Sequence, residues 1–164
     1  MHLENRFLLL NFNLEAGRDT SDNVIEGMHG GWEFPTCQLR GHFLGHWLSA
    51  AAMRYHAVGD KEIKAKADAI VDELAECQKA NGGQWAGPIP EKYLYRIAQG
   101  KQVWAPHYTI HKVFMGLLTG RDFVSFLNLT GHQFVVPFLR TTLFVITNKF
   151  LCMILIINIL LRFL

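Results

Sequence analysis

The chain has 164 residues and a formal net charge of +2; half of its residues are hydrophobic and 18% are charged. That composition excludes a disordered segment, and the length suffices to bury the core of one domain. Basic and acidic residues number 12 and 13 in residues 1–118, but four and one in residues 119–164. Neither part carries the basic stripe that nucleic acid requires, so no nucleic-acid partner is expected. The three cysteines, Cys37, Cys77 and Cys152, are widely spaced and odd in number. They match neither a disulfide framework nor a zinc-finger spacing, and a reduced, cytoplasmic setting is expected. The start, "MHLENRFLLLNFN", lacks a basic opening, a long apolar core and a small-residue cleavage site, so no signal peptide is visible.

The first predicted helix covers about residues 3–15 and stops at Ala16-Gly17. A second runs from about Leu39 to Val58 and ends at Gly59. Asp60 then caps a third helix that reaches about Lys79. Along it Ile63, Ala67, Ile70, Leu74 and Cys77 recur at helical spacing as one apolar stripe, which makes Cys77 a small core residue. Asn81-Gly82-Gly83 stops that helix. Residues 81–106 read as one long loop, and a fourth helix begins near His107. No segment alternates well enough to be a strand, so the class is all-α, built of helical hairpins.

The second helix opens on His42 and His46, four residues apart and therefore on one face. A zinc pair, a packing pair and a pocket pair would all show this spacing. No glutamate of the HExxH kind and no third ligand stands nearby. A pocket role is expected, because both lie in the helix's first turns beside a loop, while Ser49 and Met53 recede into packing. The fourth helix repeats the pattern with Trp104 before a proline, His107 at its start and His111 one turn on. Two helices that open alike are expected to converge on one cavity. Imidazoles can exchange hydrogen bonds with hydroxyls, and flat aromatic faces can cover a sugar ring. Trp32, Trp85 and Trp104 all fall in loops, where a ligand could reach them or where they could plug the core. Hydrolysis of a glycosidic bond needs two placed carboxyl groups. Glu26, Glu33 and Glu91 are loop candidates, and nothing in their spacing pairs them.

Four motifs occur in order: "GGWE" (Gly30 to Glu33), "LRGHFLGHWLSA" (Leu39 to Ala50), "ELAECQ" (Glu73 to Gln78) and "VWAPHYTIHK" with "MGLL" (Val103 to Leu118). Together they resemble the N-terminal part of glycoside hydrolase family 127, whose characterised members are β-L-arabinofuranosidases. The resemblance implies a partial (α/α)6-barrel, with helix ends around a sugar pocket. The family's pattern falls on Gly41, His42, Gly45 and His46, and then on Trp104, Pro106, Tyr108, His111 and Lys112. By this resemblance His42, His46, Trp104, His107 and His111 would bind the hydroxyls of an arabinofuranoside-type sugar without breaking its bond. The family implies a cysteine nucleophile beside zinc and a glutamate acid/base, all in the later part of a longer chain. No residue here inherits those roles, so no catalytic residue, metal ligand or cofactor is assigned to this chain.

The sequence also departs from the family. "GGQWAGPIPE" replaces the usual glycine-tyrosine-leucine after the third helix, and His107 stands where relatives carry tyrosine. After Leu118 the expected acidic, tyrosine-rich hairpin gives way to Thr119-Gly120-Arg121. Residues 1–118 thus read as the N-terminal part of the catalytic domain and residues 119–164 as a hydrophobic tail. Seven of the twelve phenylalanines lie in that tail, which ends "NKFLCMILIINILLRFL". Its apolar run of about a dozen residues is shorter than the ~20 that a spanning helix needs. A membrane anchor, a buried terminal helix and a truncation or frameshift product are the three readings. The abrupt loss of pattern favours the last, and an isolated chain without catalysis.

Overall fold

The computed structural model describes residues 3–18 and 27–122. Among these residues the fold is all-α, with five helices and no strand. They are α1 (Asn5–Glu15), α2 (His42–Val58), α3 (Lys61–Ala80), α4 (Lys92–Ala98) and α5 (Pro106–Asp122), with a 3₁₀ turn at Gly31–Glu33. Glu26 and the tail from residue 123 on, Cys152 included, lie outside the described residues. Among the described residues no helix is long and apolar enough to cross a membrane.

The helix ends follow the expected local chemistry. Gly59 takes a left-handed φ of 67° and its N–H donates to the Tyr55 carbonyl at 2.8 Å, which closes α2. Asp60 then turns the chain into α3, accepting from the Ile63 N–H at 3.1 Å. The Arg54 guanidinium, 2.6 Å from its carboxylate, and that capped amide hold the Asp60 pKa below the ordinary carboxylate value.

The expected stripe of α3 is its buried face: Ala67, Ile70, Leu74 and Cys77 are buried, and Ile63 packs at the margin. It meets Leu8, Leu9 and Phe12 of α1 and Leu44, Leu48, Ala51 and Ala52 of α2. Ile110, Val113 and Leu117 of α5 complete this core. Cys77 is a core residue as expected, with its thiol donating to Asn13 Oδ1 at 3.3 Å. Burial pushes that thiol up to about 11, so it stays protonated at neutral pH.

Three expectations are corrected. The segment read as one loop contains α4, seven residues between Pro90 and Gly100 with Leu94 as its buried anchor. Trp85 is not a loop tryptophan open to a ligand. It is 4% exposed, its indole N–H donates to the Ile89 carbonyl at 3.0 Å, and it plugs the core. Met53 does not recede into packing but remains exposed on the outer side of α2.

The closest helix pair is α2 against α5, which cross at glycines. A Cβ on Gly45 would overlap the Lys112 carbonyl, and one on Gly116 would lie 2.5 Å from the Gly45 carbonyl oxygen. Only hydrogen at both positions lets the two backbones approach this closely, so the first turn of α2 packs against the middle of α5.

Candidate functional site

The entry to α2 is built from outside the helix. Its N-cap, Gly41, has φ of 80° and no side chain with which to cap. Glu33, in the 3₁₀ turn, supplies the missing group. Its Oε2 accepts from Gly41 N–H at 2.6 Å and its Oε1 accepts from Phe43 N–H at 3.0 Å. A carboxylate at this end is also favoured by the helix dipole. The same Oε1 lies 2.7 Å from His42 Nδ1, and the Leu39 carbonyl is 3.1 Å from that nitrogen. Both side chains are nearly buried, 12% exposed for His42 and 14% for Glu33.

Helix α5 starts with its own constraint. Pro106 provides a φ suited to the first helical position. The residue before it, Ala105, is held at a positive φ of 47°, costly for any residue with a Cβ. Trp104 is fixed just upstream by its N–H, which donates to Gln38 Oε1 at 2.6 Å. One turn into the helix the Thr109 hydroxyl donates to the Leu39 carbonyl at 2.9 Å, tying the two helix starts together. Replacing Ala105 by glycine is expected to stabilise the chain by about 1 kcal/mol by relieving that backbone. The check is a raised urea midpoint with an unchanged slope.

The two helix starts and the 3₁₀ turn bring five aromatic rings into one cluster. The His42 ring lies 6.1 Å from Trp32, 6.0 Å from His46 and 5.7 Å from Tyr108, centroid to centroid. Trp32 meets Trp104 edge to face at 6.2 Å. Lys112 sits 5.0 Å from the Tyr108 ring centroid on the same helix. Trp32 and Trp104 remain 60% and 51% exposed, so their faces are open to a ligand.

Of the five residues expected to line a pocket, three therefore share this cluster: His42, His46 and Trp104. His107 is half-buried in the first turn of α5, and desolvation lowers its pKa. His111 is exposed one turn on. The ring of α5 that reaches His42 is Tyr108. His46 also has a lowered pKa, first through burial and then through Lys112 and His42, against an opposing effect of Glu33. It is neutral at pH 7 and can accept or donate through its ring nitrogens.

Glu33 and Tyr108 were the members that spacing alone did not mark. A helix that opens on glycine has no side-chain cap of its own, and the acid of "GGWE" nine residues upstream of His42 was the available signal. Glu91 lies apart from this arrangement and accepts from the Tyr95 hydroxyl at 3.5 Å.

Among the described residues no three His, Cys, Asp or Glu side chains converge to hold a metal ion. His42 Nδ1 is committed to Glu33 and Leu39, and Cys77 is a protonated core thiol. An open depression of about 460 Å³ lies elsewhere, on α3, lined by Ala69, Asp72, Glu73, Ala75 and Glu76.

Residues 1–125 match the family model described as "Beta-L-arabinofuranosidase, GH127 catalytic domain". No curated protein and no solved structure matches the chain.

Proposed function

The chain belongs to the β-L-arabinofuranosidase GH127 catalytic domain family, and from that premise we propose that the aromatic cluster at the starts of α2 and α5 binds a furanoside sugar. The observation that carries this reading is the meeting of His42 and His46 with Tyr108, Trp32 and Trp104 in one cluster whose two indoles are exposed. The imidazoles supply hydroxyl partners, and the two exposed indoles supply flat faces for the C–H side of a sugar ring. In this reading the helices are hairpins of an (α/α)6 toroid, and α2 and α5 turn their N-terminal ends toward the substrate. The whole activity is hydrolysis of terminal β-L-arabinofuranosides.

These residues bind and orient. Among the described residues Glu33 is the one loop acid at the cluster, and its carboxylate already accepts from two backbone amides and faces His42. It is therefore not poised as a general acid, and the 164-residue chain is expected to bind sugar without cleaving it.

The test is titration of the chain with L-arabinose, observed by histidine ring resonances and by tryptophan fluorescence. His42, His46 and the exposed indoles are expected to respond, and Trp85 to stay silent. With the His46 pKa lowered by desolvation, Lys112 and His42, protonation of that ring, and the loss of affinity that follows, is expected at lower pH than for an ordinary histidine. Release of arabinose from a chromogenic β-L-arabinofuranoside at a relative's rate would overturn the binding-only assignment. Silence of all the cluster's rings would overturn the sugar site itself.

A further inference from the structure

We propose that Glu33 is a positioning residue of this cluster: it fixes His42 as the Nδ1–H tautomer and so presents Nε2 as a lone-pair acceptor for a ligand hydroxyl. The inference rests on the sugar-binding reading and specifies how one of its contacts is made. Two atoms face Nδ1. Glu33 Oε1, at 2.7 Å, and the Leu39 carbonyl, at 3.1 Å, can only accept. Nδ1 therefore carries a proton, and in the neutral ring Nε2 does not. The three partners of the carboxylate serve one end. By accepting from Gly41 and Phe43 N–H, Glu33 is tied to the backbone on both sides of His42, so it can neither swing away nor rotate without uncapping α2. The tie also runs the other way. Glu33 is the last residue of the 3₁₀ turn that carries Trp32, so one carboxylate sets the indole and the imidazole 6.1 Å apart.

Asn11 supports this arrangement from the core side. Its side-chain amide donates to the Glu33 carbonyl at 2.8 Å, and Asn11 itself is 3% exposed. The backbone of Glu33 is thus anchored to α1 while its side chain spans to α2. A surface acid has no such double attachment.

A ring held as the Nδ1–H tautomer selects for a donor. The position facing Nε2 must offer a hydroxyl, and an O-methylated or deoxy sugar would leave that lone pair without a partner. Loss of one such hydrogen bond is expected to weaken binding about tenfold.

The experiment is long-range ¹⁵N–¹H correlation spectroscopy of the histidine rings in the full chain near neutral pH, with and without L-arabinose. The expected result is a protonated-type Nδ1 and an unprotonated-type Nε2 for His42, with arabinose moving Nε2 alone. In Glu33→Ala the Leu39 carbonyl remains as the weaker acceptor, so the two nitrogen signals are expected to draw together as the tautomers mix. A purely capping role for Glu33 would move the amides of residues 41–43 and leave the two ring nitrogens unchanged, which would overturn the inference. So would an Nε2–H tautomer in the unmodified chain, a reading that holds whether or not the variant folds. If Trp32 and Trp104 respond to arabinose while His42 Nε2 does not, this inference falls and the sugar-binding reading survives. If no ring responds, the sugar-binding reading falls and takes the inference with it.

Discussion

Replacing Gly45 by alanine is expected to destabilise the fold by about 3 kcal/mol, a large share of the 5–15 kcal/mol that holds a typical domain together. The cost has a specific origin. The added methyl would overlap the Lys112 carbonyl and lie 2.7 Å from Val113 N, and both are backbone atoms that cannot move aside like the end of a flexible side chain. Alanine is the better helix former by about 1 kcal/mol, so in an isolated helix the same change would stabilise. Here the crossing outweighs propensity. Relief requires α5 to move off α2, which also carries Tyr108 away from His42 and separates the Thr109 hydroxyl from Leu39. The variant should therefore lose arabinose response in step with its loss of thermal midpoint. Gly116→Ala attacks the same crossing from the other side, and because the two positions touch, the double variant should cost less than the sum of the two. A Gly45→Ala chain with unchanged midpoint would mean that the helices do not cross here.

What was legible in the sequence was what is decided locally. Gly17, Gly59 and Asp60 mark helix ends because the conformations and caps they provide involve only neighbours a few residues away. The stripe of α3 was legible because twenty residues leave room for a period to repeat. Helix α4 was missed for the converse reason, since in seven residues with one buried anchor no period can show. The three loop tryptophans illustrate the limit at the site. Trp85 is separated from Trp32 and Trp104 by its contacts with Ile89 and Gly87, where any Cβ would strike its indole, and not by the composition of its loop. His42 and His46 were found because four-residue spacing places them on one face. That Glu33 and Tyr108 meet His42 was not legible, because they arrive from a turn and a second helix whose approach depends on the Gly45–Gly116 crossing.

The same crossing gives the α2 entry its energetic logic. Leu39, Arg40 and Gly41 together form a short bridge into the helix, and each is fixed by a distant segment. Leu39 accepts from Thr109 of α5, Gly41 donates to Glu33, and its left-handed φ of 80° leaves no room for a Cβ beside Pro88. Arg40 is the charged member of this bridge and the one buried guanidinium among the described residues, 8% exposed. Nothing local marks it, since an arginine before a glycine reads as surface.

Replacing Arg40 by methionine is expected to cost about 3 kcal/mol at pH 7, and distinctly less at pH 4. The guanidinium donates through Nε to the Pro88 carbonyl at 2.9 Å and through Nη2 to Glu15 at 3.2 Å. Methionine fills much of the same space, so the loss measures the unpaired partners more than a cavity. Glu15 is the partner that carries the pH dependence. Burial raises its pKa above 4.5 even with Arg40 and Lys92 pulling it down. A carboxyl with a raised folded-state pKa holds its proton more tightly when folded, so it favours the fold at low pH and that contribution is lost as pH rises through the folded value. Without Arg40 the folded value rises further and the penalty at neutral pH grows. Acid then protonates Glu15 and removes the unpaired charge, leaving mainly the Pro88 hydrogen bond as the difference between the two proteins. Urea midpoints at pH 7 and pH 4 for both chains decide the matter. A gap that stays constant between them would assign the whole loss to Pro88 and to packing. A gap that narrows would show that the carboxylate of α1 holds Arg40 in place, and through Arg40 the backbone that delivers His42 to the cluster.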